Sequence, residues 1–140
     1  MAFAANPRPF QPDRENLARP LAGPFMTFDL VAESEALRRE TAYQRNRHNA
    51  RTLAKYADLR IVLEVAQEGV RLTTHEPDER IAVQVLRGRL RVRAGDATIE
   101  VAAGHLAALD KATAHQMEAL EDSAFLIYVS WPVARDSAGA

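Results

Sequence analysis

Cysteine is absent from this 140-residue chain, aromatic residues make up only 6% of it, and its formal net charge is −1. Each shortage excludes something. Without cysteine there is no thiolate nucleophile, no disulfide framework, no cysteine-based zinc site and no redox-sensing thiol. With 18 Lys+Arg against 19 Asp+Glu, the chain carries no excess of positive charge for counterion release from phosphates, so no nucleic-acid partner is expected. Uninterrupted apolar runs fall well short of the ~20 residues that span a bilayer, and residues 1–22 lack the basic start and apolar core of a secretion signal. No membrane partner is expected, and the cytoplasm is the expected location.

What remains is an ordinary globular composition, 47% hydrophobic and 26% charged, consistent with one main domain. A chain of this length buries roughly two-thirds of the surface its unfolded form exposes, so it folds without metal or disulfide staples. Any metal would therefore be functional rather than structural. Five of the seven prolines, Pro7, Pro9, Pro12, Pro20 and Pro24, lie near the start, where they remove backbone donors and favour extended geometry. Residues 1–27 accordingly read as an arm. The arm is expected either to be disordered or to lie over a partner subunit, for which its apolar Phe3, Phe10, Leu17, Leu21 and Phe25 suit docking. The main domain is expected over 28–131, and 132–140 as a frayed tail.

One short helix is expected over Glu33–Arg45, with Ser34 as N-cap, acids early and arginines late. From Arg51 onward the hydrophobic period becomes two. Leu59–Val65, Ile81–Leu86, Leu90–Val92, Thr98–Val101, Leu106–Leu109 and Phe125–Val129 read as strands. Turns are marked at Glu68-Gly69, Arg87-Gly88, Gly95-Asp96, Ala103-Gly104 and Glu121-Asp122. Short strands at this spacing predict an all-β antiparallel sandwich or closed barrel. Ile61, Leu63, Val83, Val85, Leu109, Met117, Leu126 and Tyr128 are mostly expected to fill its interior or the sheet-to-sheet contacts. His48 and the cations Arg45, Arg47, Arg51 and Lys55 read as a solvated connector, and His105 as a turn residue.

His75 follows Gly69 after five residues, Gly88 follows His75 after twelve more, and His115 follows Gly104 after ten. In this spacing the stretch Leu59–Trp131 resembles the cupin superfamily, whose motifs are G-x5-H-x-H-x3-4-E-x6-G and G-x5-P-x-G-x2-H-x3-N. The resemblance implies a jelly-roll barrel (double-stranded β-helix) and a divalent metal on two histidines and a glutamate from the first motif plus one histidine from the second. Carried over by position, His75 takes the place of the first histidine, Pro77 the second, Ile81 the glutamate and His115 the last histidine. Asp110, Ala112 and Ala119 replace the proline, glycine and asparagine of the second motif. Two of four ligands are thus replaced by groups with no donor atom.

The metal candidates are His75 and His115, with Glu79 as a substitute carboxylate, and the metals such a site would take are Zn, Ni, Fe or Mn. Glu76 lies beside them. Gln84, three residues beyond Ile81, is a weaker ligand candidate because a regular strand turns it to the other side. The pocket candidates are His115, His75, Met117, Gln84 and Trp131. The resulting expectation is a single-domain cupin that binds a small organic ligand in its barrel without a complete catalytic metal site. The alternative is a metal-dependent cupin enzyme, of dioxygenase, isomerase or lyase type, using His75 and His115. A homodimer is expected, because symmetric pairing covers open sheet edges and an apolar arm.

Overall fold

The computed structural model describes residues 20–74, 79–110 and 115–131. His75, Glu76, Pro77 and Ala112, the arm residues Phe3, Phe10 and Leu17, and the tail 132–140 lie outside that set. Among the described residues two helices come first, α1 (Leu30–Arg39) and α2 (Thr41–Asn46). Strands follow: β1 (His48–Lys55), β2 (Leu59–Ala66), β3 (Arg71–Thr74), β4 (Arg80–Arg87), β5 (Arg89–Ala94), β6 (Ala97–Ala102), β7 (Leu106–Leu109), β8 (His115–Ala119) and β9 (Ser123–Ser130). They form a five-stranded sheet in the order β1-β2-β9-β4-β7 and a four-stranded sheet in the order β3-β8-β5-β6. All described pairings are antiparallel. The all-β expectation with a short N-terminal helix is met, and among the described residues no helix is long and apolar enough to cross a membrane.

The helix differs from its expected form. Asp29, not Ser34, is the N-cap and accepts from the Ala32 backbone N–H at 3.0 Å. Ser34 lies inside α1, where its hydroxyl donates to the Leu30 carbonyl at 2.7 Å, a bond open to a serine in mid-helix. The helix then breaks at Glu40, whose ψ of 152° is extended. That break frees the Glu40 carboxylate to accept from Arg51 Nη2 at 2.7 Å and from Asn49 Nδ2 at 3.0 Å. Arg51 Nη1 donates to Glu33 at 2.8 Å. Arg51 is therefore 5% exposed and belongs to a buried ion network that ties both helices to β1, not to a solvated connector. A buried guanidinium needs such matched carboxylates to offset its desolvation.

The five-stranded sheet is covered on both sides. Between the sheets lie Ile81, Val83, Val85, Leu90, Val92, Leu109, Met117, Phe125, Ile127 and Val129. Beneath the helices lie Leu37, Tyr43, Leu53, Leu63, Val65 and Leu126, with Ile61 and Tyr128 packed against them. Ile61, Leu63, Leu126 and Tyr128 thus fill a second core rather than the barrel. The opposite face of β2, carrying Arg60, Val62 and Glu64, turns inward with Val129, Ile127 and Phe125 by register.

Of the expected turn glycines, Gly69, Gly88, Gly95 and Gly104 all have positive φ. At Gly88 the requirement is doubled. A Cβ there would fall against Ser123 Oγ, 2.5 Å from the Asp122 carbonyl oxygen and 2.9 Å from Ser123 Cα. Ser123 Oγ in turn accepts from the Arg89 N–H at 3.1 Å and donates to the Glu121 carbonyl at 2.8 Å, so the turn is packed without space.

Candidate functional site

Two cross-strand rows define one end of the sandwich. On the inward face of the five-stranded sheet the row is Arg60, Val129, Ile81 and Leu109. On the facing sheet it is Thr74, His115, Ala94 and Ala97. Residues 75–79 connect Thr74 to β4, and residues 110–114 connect Leu109 to His115. Such short spans, at no more than about 3.5 Å per residue, hold the two rows at the same end. This end is the mouth.

His115 opens β8 and alternates with Met117 and Ala119 on the inward face. It is 3% exposed. Met117, one step deeper, is aligned with Leu72 and Val92 and buried in the core between the sheets. Trp131 follows β9 and packs against the same core. The Arg60 guanidinium lies over its ring, 5.8 Å from the centroid, within cation–π range. On the rim Arg80 Nε meets Asp110 at 3.0 Å, but both side chains are well exposed, so this pair adds little stability.

Three of the five pocket candidates, His115, Met117 and Trp131, therefore face the space between the sheets at or near the mouth. His75 lies outside the described residues. Gln84 does not join them: it sits on the other face of β4, where its Oε1 accepts from the Tyr128 hydroxyl at 2.7 Å. The period of two that turns Ile81 inward turns Gln84 outward. Glu79 is half-buried immediately before β4.

The metal expectation can be tested on the donors present. Ile81, at the position the resemblance gives to the glutamate ligand, is 4% exposed and packed in the core. Among the described residues no three His, Asp or Glu side chains come together as a metal-holding group. The described set does not fit a three- or four-ligand metal centre.

Sequence reasoning missed Arg60. The alternation in Leu59–Val65 suggests an apolar core face and a polar solvent face, and Arg60 falls on the polar one. That polar face is the inward one. His48 was also misplaced: it lies in β1, and its Nε2 is 2.9 Å from Glu64 Oε1. Elsewhere, an open groove of about 450 Å³ lies between α1 and the outer face of the large sheet, lined by Leu30, Val31, Ser34, Glu35, Arg38, Leu86, Arg87 and Ala124. Its charged lining is the Arg38–Glu35 ion pair and Arg87. It contains none of the pocket or metal candidates.

No family model matches the chain, and no curated protein is similar to it in sequence. Solved structures are similar in fold. A conserved protein of unknown function from Streptococcus pyogenes superposes with a TM-score of 0.60 at 21% identity, covering 81% of this chain and 94% of that one. An RmlC-like cupin protein from Desulfovibrio desulfuricans gives 0.60 at 18% identity, covering 76% and 97%. A cupin superfamily protein from Desulfitobacterium hafniense gives 0.59 at 15% identity, covering 62% and 80%. At these identities the likeness establishes the fold, and the fold is that of the cupins.

Proposed function

We propose that this cupin-fold chain binds a small organic molecule at the mouth of its sandwich, without a complete catalytic metal site. The observation that carries the reading is the composition of the two rows together with Trp131, which packs beside them. Ile81, Val129, Leu109 and Ala94 supply apolar wall, while His115, Arg60 and Trp131 supply the polar groups. Ligand pockets have this make-up: mostly apolar lining, with a few polar groups that fix orientation. Imidazole suits the role because a neutral ring donates from one nitrogen and accepts at the other. Ile81 in the carboxylate position speaks against the alternative of a metal-dependent enzyme.

Elemental analysis and native mass spectrometry of protein purified without added metal test the reading together. The expected result is a co-purifying organic mass together with substoichiometric metal, the organic mass being lost in His115→Ala. Near-stoichiometric metal that disappears in both His75→Ala and His115→Ala would overturn it in favour of the metalloenzyme.

A further inference from the structure

The inward face of β2 carries two charged residues, and the structure treats them differently. Glu64 is met by His48 at 2.9 Å, with side-chain exposures of 13% and 29%. Arg60 is met by no carboxylate within ion-pair distance among the described residues, and its Nε is buried without an acceptor. Its guanidinium is held over the Trp131 ring instead. A guanidinium drawn toward a protein interior loses water, and an aromatic face returns only part of that loss. The Nε edge of the fork, which pairs with a carboxylate through two parallel hydrogen bonds, has a donor to spare.

The surroundings narrow the anion. In its row Arg60 is followed by Val129, Ile81 and Leu109, all apolar. Both described helices lie on the far side of the large sheet, so neither offers an N-terminus to a phosphate dianion here. Among the described residues of the mouth Arg80 is already paired with Asp110 on the rim, which leaves Arg60 as the cation set in the apolar wall, and one such cation matches a monoanion with an apolar body. We infer that the mouth takes a small monocarboxylate, its anion on the Nε edge of Arg60 and its apolar portion against Trp131, Ile81 and Val129. This rests on the mouth being the ligand site, and it adds the chemical class of the ligand.

Trp131 is the single tryptophan of the chain, so its fluorescence reports on this site alone. The full chain is titrated with benzoate against benzamide and with hexanoate against hexanamide, pairs that differ in charge but hardly in shape. The wild type is expected to bind each acid about tenfold tighter than its amide, the difference one charge-assisted hydrogen-bond pair supplies. Arg60→Gln, its fold checked by circular dichroism, is expected to bring the ratio close to unity with amide affinity retained. Equal binding of acid and amide by the wild type would overturn the carboxylate inference and leave the mouth as a ligand site. An acid preference that survives in Arg60→Gln would likewise overturn it, placing the anion elsewhere. If neither acids nor amides bind, while a ligand found by native mass spectrometry still depends on His115, the carboxylate inference fails alone. If no ligand is found by either route, both fail.

Discussion

Gly88→Ala and Gly104→Ala form a pair that separates two costs usually confounded. Both glycines have nearly the same positive φ, 86° and 87°. A methyl group at Gly104 meets nothing within 4 Å, whereas at Gly88 it meets Ser123 and the Asp122 carbonyl. Gly104→Ala therefore carries only the left-handed backbone strain of an L-residue, about 1–2 kcal/mol. Gly88→Ala adds overpacking of about 1–3 kcal/mol and the loosening of the Ser123 hydroxyl bonds at about 1 kcal/mol, for a total of about 3–6 kcal/mol. Against the 5–15 kcal/mol typical of a domain, the second change leaves little stability. Urea unfolding followed by Trp131 fluorescence measures both. Equal shifts in the two variants would refute the packing argument at the β4–β5 turn.

Arg51→Met removes the guanidinium that Glu33 and Glu40 share; both keep partial exposure, 17% and 20% of their side chains, and Glu40 keeps its bond from Asn49, so the cost falls at the lower end for a broken buried pair, about 3 kcal/mol; amide exchange in α1 is expected to accelerate more than in β9. Tyr128→Phe removes the bond to Gln84 at about 1 kcal/mol and is expected to leave ligand binding at the mouth unchanged, as Trp131 fluorescence titration would verify. Burial, and secondarily the Asp122 charge, raise the Tyr43 phenol above its usual 10.0 against smaller opposing effects of Arg38 and Arg87. The unfolded phenol then ionises first, so this contribution to stability is full below pH 10.0 and is lost as pH rises through the raised folded value; a tyrosinate absorbance titration compared with Tyr43→Phe detects the late-ionising group. We propose that the full chain is a homodimer; light scattering that reports a monomer across micromolar concentrations would end that proposal.

Strand positions were largely legible because turn chemistry is local. The positive-φ glycines at Gly69, Gly88, Gly95 and Gly104 punctuate the chain where the sequence puts turns. Which face of a strand is buried was less legible, because it depends on what covers the sheet. In β2 the apolar face of Ile61, Leu63 and Val65 points to the helices, and the mixed face of Arg60, Val62 and Glu64 points between the sheets. In β9 both faces are covered, so Ala124–Ile127 is buried without alternation. β1 hid behind its basic composition, since nothing in RNRHNAR marks Arg51 as the partner of two carboxylates from another element. At the site, the motif spacing placed His115 inward and strand period alone could have removed Gln84. Arg60 needed the register of β2 against β9 before its place beside Trp131 could be seen.

The most direct test of the mouth as the ligand site is protein-observed NMR during a screen of small organic molecules, with resonances assigned for the whole chain. Binding is expected to perturb His115, Trp131, Ile81 and Val129 together, and to leave Leu30, Val31 and Leu86 in the groove beneath α1 unmoved. Perturbations confined to that groove, with the mouth silent, would contradict the account.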